Sequence, residues 1–544
     1  MTTNHVNPSD EALSLPSDAL PEWTPVRSSA GNNNPWLIAV IVALPVFLEI
    51  LDTTIANVSL RTIAGSLGAG QSESNWVITS YLVAMSVILP LSGWLADILG
   101  RKTFFISCII LFAAANLFCG MATSMSALIF WRVVEGLGGG GMVPLSQTML
   151  ADSFPPAKRG TAFAIWGIAV VVSPVIGPPL GGWITQNYSW PWIFYMKVPM
   201  GLLSALLCWI FLAEPELLKR ERKQRWTEGL HVDYVGFALA AIGLAFLEVV
   251  LAKGDELDWF GSPFIRKTAA ISAVALLAMT LWEWNRRDAV LEVTLFGRRT
   301  FLASFVIVFG AGVVMYSSNL VFPTLLQSVH GYTALTAGVA MLPAGLASAL
   351  GMILVGILSQ KVQARYLVAA GILLQVVPYW VLGHFTPDLT FWHAALAIVP
   401  QMMGFGFIMI PATALSYEGL APRQVNSATA MMNISRNIGG STGIAMVFTW
   451  ISWRAQYHHS VIGEHVSAYS PAVQDALGSL QSAAGGVATD DQVIKVADLL
   501  VNQQAAVMAF NDSFLKCLLI CGVMLALVFL LPRNEVGKGQ VAVH

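Results

Sequence analysis

Residues 93–102 read GWLADILGRK and join two apolar segments of the chain. These segments, near 76–96 and 103–123, are each about as long as the roughly 20 residues that a helix needs to cross a bilayer. A second connection, GILSQKVQAR at 356–365, also begins with Gly and ends with basic charge. Because many transporters contain internal repeats, the two connections predict a chain built from two similar halves.

The composition is that of an integral membrane protein. The chain has 544 residues, of which 56% are hydrophobic and 11% charged, whereas soluble proteins carry roughly 25% charged residues. A net charge of -2, with the Gly-rich stretches inside apolar segments, excludes a basic nucleic-acid surface. The five cysteines lie in apolar segments without metal-ligand spacing, so we expect no metal and no cofactor. Membrane lipid is the expected surrounding, and nucleic acid is not an expected partner.

Apolar windows predict about fourteen membrane spans. They lie near 36–60, 76–96, 103–123, 127–149, 161–184, 192–213, 233–252, 265–284, 301–323, 335–358, 366–385, 391–415, 426–452 and 510–531. Basic residues concentrate in alternate connections, most densely in KRERKQR at 219–225. By the positive-inside rule, this asymmetry predicts that both termini are cytoplasmic.

The spans group into an all-α membrane protein with two six-helix bundles and two inserted central helices. The predicted parts are a disordered cytoplasmic tail at 1–35, a first bundle at 36–213, a basic linker with two inserted spans at 214–300, a second bundle at 301–531 that includes a periplasmic loop at 453–509, and a cytoplasmic tail at 532–544.

Four charged residues lie inside the first and fourth predicted spans. The first span, which contains FLEILDTTIANVSL at 47–60, carries Glu49 and Asp52, and the fourth span carries Arg132 and Glu135. Charge within a bilayer is costly and indicates function by default. Counting about 1.5 Å per residue along these antiparallel spans places Asp52 and Arg132 at similar depth. We therefore expect Asp52 to pair with Arg132, and Glu49 to face Glu135 nearer the midplane.

Glycine and proline interrupt the fourth and fifth spans. The run GLGGGG at 136–141 lacks the Lys-Ser/Thr of a phosphate loop and lies in an apolar helix, so it predicts close helix packing rather than a nucleotide site. In the fifth span, the sequence SPVIGPPLGG at 173–182 predicts a bent helix that packs closely on a neighbour at the outer gate.

Several stretches resemble the motifs of a known family. GWLADILGRK resembles the signature loop of the major facilitator superfamily. LDTTIANVSL at 51–60, RVVEGLGGG at 132–140 and GPPLGG at 177–182 resemble motifs of its fourteen-span drug:proton antiporter family. GLGGGGMVPLSQ and SWPWIFYMKVPMG resemble the EmrB-type subgroup, and NISRNIGGSTG at 433–443 carries the similarity in the second half.

This resemblance implies a major facilitator fold and a proton-coupled multidrug efflux transporter in the bacterial inner membrane. Its substrates would be small amphipathic or lipophilic compounds, exchanged for protons, and its partners a periplasmic adaptor and an outer-membrane channel. The depth count and this resemblance together predict Asp52, Arg132, Glu135 and Glu49 as the proton-coupling residues. The resemblance further implies a cytoplasmic gate of Gly93, Asp97, Arg101 and Lys102; an antiporter motif of Pro174, Gly177, Pro178, Gly181 and Gly182; and a second-half motif of Asn433, Arg436 and Gly440.

Two glutamates depart from the subgroup pattern. The EmrB-type pattern has uncharged residues, often glutamine, where this chain has Glu49 and Glu135. The family's proton role therefore carries over to Asp52 alone, and the two glutamates either carry protons or bind a cationic substrate.

Two other functions remain open from the sequence. One is a dedicated exporter of a single metabolite, such as a siderophore, a fatty acid or an amino acid, that uses the same antiport cycle. The other is a membrane-embedded transferase, for which His384 and Asp388 are the nearest candidate pair. A turn at the end of a span also explains this pair.

Overall fold

In the computed structural model, the described residues are 34–154, 156–214, 219, 222–223, 227, 233–284, 286, 291–359, 361–385, 390–420, 422–465, 474 and 490–532. Within these ranges all regular secondary structure is helical, which confirms the predicted all-α class. Almost all of the two predicted tails lies outside the described residues.

The first half of the chain contributes helices that alternate in direction with short connections. They are α1 (Pro35–Leu67), α2 (Gln71–Ser74), α3 (Trp76–Leu99), α4 (Arg101–Gly120), α5 (Met125–Gly139), α6 (Met142–Ser153), α7 (Pro156–Asn187), α8 (Trp192–Tyr195) and α9 (Lys197–Phe211). Helix α1 starts where the Asn34 side chain accepts a hydrogen bond from the backbone N–H of Trp36. It ends at Gly68, whose φ of 64° is favourable for glycine.

Two inserted helices and the second half follow. They are α10 (Tyr234–Lys253), α11 (Pro263–Glu283), α12 (Arg299–Ser328), α13 (Ala334–Leu358), α14 (Ala364–Leu382), α15 (Phe391–Ala397), α16 (Val399–Ser416), α17 (Pro422–His465) and α18 (Asp490–Val528). The two connections that predicted a repeat occupy equivalent places, between α3 and α4 and between α13 and α14.

Packing divides the helices into two groups. In the first half α1 packs on α7, and α4 packs on α5 and α9; in the second half α12 packs on α17, and α14 packs on α16. Contacts between α7 and α13 and between α3 and α17 join the halves. The inserted helices α10 and α11 form a hairpin, and α10 lies against both α3 and α17.

Eleven helices in the described residues are long and apolar enough to cross a membrane. Three further predicted spans, near 127–149, 161–184 and 426–452, are helical but are not among the eleven. In the first of these the helix is divided, because α5 ends at Gly139 and α6 begins at Met142. The chain is a multi-pass membrane protein, and the predicted number of fourteen spans is not confirmed.

The predicted periplasmic loop at 453–509 is helical at both of its ends. Helix α17 continues to His465 and α18 already begins at Asp490. At about 1.5 Å per residue, the 44 residues of α17 extend about 66 Å, twice the roughly 30 Å of the hydrocarbon core. Hydropathy ends where the bilayer ends, but the helix continues beyond it.

Candidate functional site

The charged residues of the first and fourth predicted spans meet in the interior of the first half. Asp52 of α1 and Arg132 of α5 are both fully buried, and Arg132 Nη1 donates to Asp52 Oδ2 at 2.5 Å. The pairing predicted from their depth is therefore present. Arg132 Nε also donates to the backbone oxygen of Val77 at 2.9 Å, which fixes the guanidinium against α3.

A second cation, Lys197, shares the same carboxylate. Its Nζ donates to Asp52 Oδ1 from the first residue of α9, and its side chain is buried. The sequence analysis did not count Lys197 as a site residue. The four-residue helix α8 directs the chain inward just before α9, which brings Lys197 to the depth of Asp52. The only signal was the SWPWIFYMKVPMG motif that contains it.

Glu135 completes a cluster of four alternating charges. Arg132 Nη1 donates to Glu135 Oε2 at 2.8 Å, and Lys197 Nζ lies 3.6 Å from Oε1. Asn116 of α4 donates to Oε1 at 2.6 Å, and the Cys119 thiol lies 3.5 Å from Oε2. With both carboxylates ionised the cluster is neutral overall, which lowers the cost of keeping four charges away from water.

Aromatic rings line the cationic side of this cluster. The Arg132 guanidinium carbon lies 4.5 Å from the centre of the Tyr81 ring. Lys197 Nζ lies 4.8 Å from the centre of the Phe194 ring, which belongs to α8. The negative faces of such rings stabilise cations in a dry environment. The short helix α8 thus both turns the chain and supplies a surface for Lys197.

Glu49 lies apart from the four-charge cluster, and this differs from the sequence prediction. Glu135 contacts Arg132, Lys197 and Asn116, whereas the predicted opposition of Glu49 and Glu135 is not among the described contacts. Glu49 instead lies beside α5 one turn further along, where a Cβ on Gly139 would be 3.4 Å from its Cγ.

The Glu49 carboxyl faces the second half of the chain. It is 3% exposed, and its Oε2 has no hydrogen-bond partner among the described residues. The largest electrostatic influence on it from another residue is that of Arg436 on α17. Arg436 Nε likewise lacks a hydrogen-bond partner in the described part of the chain. A carboxyl of one half and a guanidinium of the other therefore face each other without a direct ion pair.

The residues of the predicted cytoplasmic gate lie at one end of α3 and α4, away from the cluster. Gly93 has open space where a Cβ would be, and the Asp97 side chain is outside the described part of the structure. Lys102 Nζ donates to the backbone oxygen of Trp209 at 2.7 Å, which ties α4 to the end of α9. Between α3 and α4, Gly100 has a φ of 90° and makes the tight turn.

The glycine motifs pack helices against each other in both halves. A Cβ on Gly177 of α7 would meet Thr54 of α1, and one on Gly181 would lie 3.2 Å from the Ile55 backbone oxygen. Gly182 has open space, and the side chains of Pro174 and Pro178 are outside the described set.

In the second half, a Cβ on Gly440 of α17 would lie 2.7 Å from the Tyr316 ring of α12. Asn433 donates to the backbone oxygen of Thr429, within its own helix, at 3.0 Å. Of the second-half motif, Arg436 alone faces the charged region of the first half.

His384, considered for a transferase, contacts its own helix end. Its Nδ1 lies 2.9 Å from the backbone oxygen of Trp380 on α14, and its proposed partner Asp388 is outside the described residues. This contact is that of a residue in a turn.

Comparison with known proteins identifies the family. The Major Facilitator Superfamily model matches residues 42–444. The chain is 34% identical to the multidrug export protein EmrB of Escherichia coli (strain K12), with 93% of this chain and 98% of that protein covered. It is 32% identical to the fatty acid resistance protein FarB of Neisseria gonorrhoeae, with 92% and 97% covered.

Solved structures share the fold. The proton:xylose symporter XylE has a TM-score of 0.57 at 14% identity, with 94% of this chain and 98% of that chain covered. A bacterial homologue of the human lysosomal transporter Spinster, inward-facing and unoccupied, has a TM-score of 0.55 at 17% identity, with 92% and 99% covered. The chain belongs to the Major Facilitator Superfamily of membrane transporters.

Proposed function

We propose that this protein is a proton-coupled multidrug efflux transporter that exports amphipathic or lipophilic compounds across the bacterial inner membrane. The observation that carries the proposal is the position of Asp52, a fully buried carboxylate held by two cations from two other helices. The EmrB relative, named as a multidrug export protein and similar over almost its whole length, supports the substrate class.

The charge balance of the cluster gives the coupling step. Two carboxylates and two cations are neutral together, so protonation of Asp52 leaves one uncompensated positive charge among Arg132 and Lys197. Because unpaired charge is costly in a dry interior, the helices that carry the two cations then move to regain a counter-charge or water. The proton thus changes the preferred arrangement of α1, α5 and α9.

A substrate completes the antiport cycle by its own charge or volume. Glu49 and Arg436 face each other across the two halves and each has an atom without a hydrogen-bond partner among the described residues. An amphipathic compound bound there contacts both the 36–213 bundle and the 301–531 bundle. Its binding favours loss of the Asp52 proton toward the cytoplasm, and proton entry from outside favours its release.

The motif residues form the contacts that change during the transport cycle. In this proposal Gly93, Asp97, Arg101 and Lys102 form the cytoplasmic gate. The antiporter motif lets α7 slide on α1, since Gly177 and Gly181 lie against Thr54 and Ile55. The second-half residues Asn433 and Gly440 belong to the matching helix α17, which packs on α12.

The outer partner is a periplasmic adaptor with an outer-membrane channel. The extended ends of α17 and α18 offer the docking surface, since both helices are longer than a bilayer requires. Both chain termini are cytoplasmic in this arrangement. Removal of residues 462–495 is expected to abolish copurification of the adaptor while membrane insertion persists.

A dedicated exporter of one metabolite is the second candidate. The FarB relative, named for fatty acid resistance, favours fatty acids among the possible metabolites. Growth of an efflux-deficient host with a broad compound panel, with the adaptor coexpressed, separates the two: protection against many unrelated compounds indicates multidrug export, and protection against long-chain fatty acids alone indicates the dedicated exporter.

Transport by Asp52→Asn in inside-out vesicles tests the mechanism. We expect no export driven by a pH gradient, with ethidium and oleate as a cationic and an anionic probe, while probe binding to the purified variant persists. The matched control is Asp512→Asn, because Asp512 of α18 also pairs with an arginine, Arg454 at 2.5 Å, but lies outside the cluster. Gradient-driven export by Asp52→Asn at the wild-type rate would overturn the proposal.

Substitution of the two glutamates assigns their roles. Glu49→Gln and Glu135→Gln are expected to weaken export of ethidium alone if the glutamates bind cations. Equal loss for ethidium and oleate would instead assign them to proton transfer.

A further inference from the structure

The inserted hairpin of α10 and α11 is attached to both halves of the transporter. At the end of α10, Asn75 at the start of α3 donates to Glu256 at 3.1 Å. Trp259 Nε1, in the same connection, donates to Thr449 of α17 at 3.0 Å. The hairpin therefore covers the line of contact between α3 and α17, called here the α3–α17 seam, and holds one residue on each side of it.

One carboxyl of the hairpin lies inside this seam. Glu248 of α10 is 2% exposed and is located about 8 Å from the end of the helix at Lys253, within the membrane-spanning segment. Its Oε1 accepts a hydrogen bond from Ser441 of α17 at 3.1 Å, and Ser86 of α3 lies on its other side. Its Oε2 has no hydrogen-bond partner among the described residues. Both halves of the transporter thus present a hydroxyl to the same carboxyl.

No cation pairs with Glu248 within the described part of the chain. Lys253, on the same helix, forms an ion pair with Glu256 at 2.6 Å. Arg436 of α17 acts on Glu49 of the first half. The other ionisable residues of the helices packed around it are Tyr81 and Asp97 in α3; Tyr234 in α10; Arg266, Lys267 and Glu283 in α11; and Arg423, Arg454, Tyr457, His458, His459, Glu464 and His465 in α17.

The environment decides the charge state of this carboxyl. An ionised carboxylate without a counter-charge is costly in the interior of a membrane protein, and two serine hydroxyls do not replace a cation. A neutral carboxyl needs only the hydrogen bonds that it has. Water reaches the group only if α3, α10 and α17 separate, because these three helices enclose it.

We infer that Glu248 is a second proton-binding site, which holds a proton while the α3–α17 seam is closed and releases it to water when the seam opens. The carboxylate gains one proton from water on closure and returns it on opening, so no other reactant is needed. The inference extends the proposed proton coupling from one site to two, and its consequence for proton stoichiometry rests on that proposal. The inference that Glu248 is protonated while the seam is closed does not rest on that proposal.

The carbonyl stretch of a protonated carboxyl gives the direct test by infrared spectroscopy of the full-length protein in lipid. We expect the wild type to show a protonated-carboxyl band that Glu248→Gln lacks. Glu214→Gln is the matched control, because Glu214 forms an ion pair with Arg222 at 2.9 Å and lies outside the seam, so it should leave the band unchanged. A full band in Glu248→Gln would overturn the inference.

A second variant keeps the test independent of the folding of Glu248→Gln. Ser441→Ala removes the hydrogen bond to Oε1, so the band should move to higher wavenumber without loss of intensity. An unmoved band would mean that the protonated carboxyl lies elsewhere.

Deuterium exchange of this band links it to transport. In proteoliposomes with oleate and a pH gradient, we expect exchange at least about ten times faster than at rest, because each cycle opens the seam. Asp52→Asn should keep the band and lose the acceleration. A band that persists while Asp52→Asn exports normally would refute the proposed function and leave the Glu248 site intact; a missing band with Asp52→Asn inactive would refute only the Glu248 site.

Discussion

The two halves of this transporter contain opposite kinds of polar network in their interiors, one charged and one neutral. In the first half, Asp52, Arg132, Glu135 and Lys197 form a buried network of full charges. In the second half, the hydroxyl of Tyr379 on α14 donates to the backbone oxygen of Val314 at 3.0 Å and accepts from Gln401 of α16 at 2.8 Å. It also lies 2.6 Å from the hydroxyl of Ser318 on α12.

The difference between the two networks is that the charged one can act as a switch, whereas the neutral one supports the packing of its helices. A charged network changes its energy strongly when one proton is added, because the remaining charges lose their balance. A network of neutral hydroxyl and amide groups has no such response near neutral pH, and it holds its helices together in every step of the cycle. On the proposed mechanism, the first half responds to protons and the second half provides a constant surface.

The largest expected effect comes from removal of one charge from the network. Lys197→Met leaves two carboxylates with one cation, and breaking a buried ion pair costs about 3–5 kcal/mol. We expect lost export and a correspondingly lower free energy of unfolding in denaturing-detergent titrations. The double variant Lys197→Met with Glu135→Gln restores neutrality and should recover stability but not export; no recovery would mean that Lys197 acts through packing.

Helix packing by glycine gives the next effect, and the contact of Gly443 on α17 with α12 is more sensitive than that of Gly177 on α7 with α1. A Cβ on Gly443 of α17 would meet the backbone of Val313, with Val313 Cα at 2.7 Å, whereas one on Gly177 of α7 meets the Thr54 side chain. Backbone cannot move aside as a side chain can, so Gly443→Ala should cost about 1–3 kcal/mol and Gly177→Ala less. Thermal unfolding checks the order, with Gly182→Ala as the control in open space.

Buried amides on α4 and α14 give a smaller and sharper contrast. Asn116 donates to the Glu135 carboxylate, whereas both polar atoms of the buried Gln375 amide lack a hydrogen-bond partner among the described residues. Asn116→Leu should therefore cost about 2 kcal/mol, the value of a hydrogen bond to a charged group, and shift the pH profile of export. Gln375→Leu should be neutral or stabilising with an unchanged pH profile. Equal effects of the two would remove the contrast between the halves.

The smallest expected effect tests the neutral network itself. Tyr379→Phe removes the hydroxyl that three groups share and should lower the free energy of unfolding by about 1 kcal/mol. The pH dependence of export should stay that of the wild type, since no charge changes. A shifted pH profile in this variant would show that the second half takes part in proton coupling.

Counting depth along single straight helices was enough to predict that Asp52 and Arg132 lie together. Asp52 and Arg132 meet because each lies a fixed number of residues from the end of its span. Lys197 was missed because its position depends on the turn made by α8, which no periodicity in the sequence describes. The orientation of Glu135 was missed because Lys197 and Asn116, from two further helices, determine where its carboxylate lies.

The fold class followed from composition and from the repeated connections, whereas helix lengths beyond the bilayer did not. Hydropathy measures contact with lipid, so the polar residues that follow 452 ended the predicted span. Helical hydrogen bonds do not depend on that contact, and α17 continues to His465. Tertiary contacts help to extend it, since His458 of α17 lies 2.8 Å from Asp512 of α18.

The length of α17 turns a small rotation in the membrane into a large displacement outside it. Ser441 lies within the seam, and His465, at the far end of the same continuous helix, is 24 residues and therefore about 36 Å away. This segment of α17 acts as a lever arm. A tilt of about 10° at the seam would move its tip, at His465, about 6 Å sideways. In the proposed assembly, an adaptor bound to that tip would be displaced and would return once in every transport cycle, so the adaptor would receive mechanical work as well as substrate.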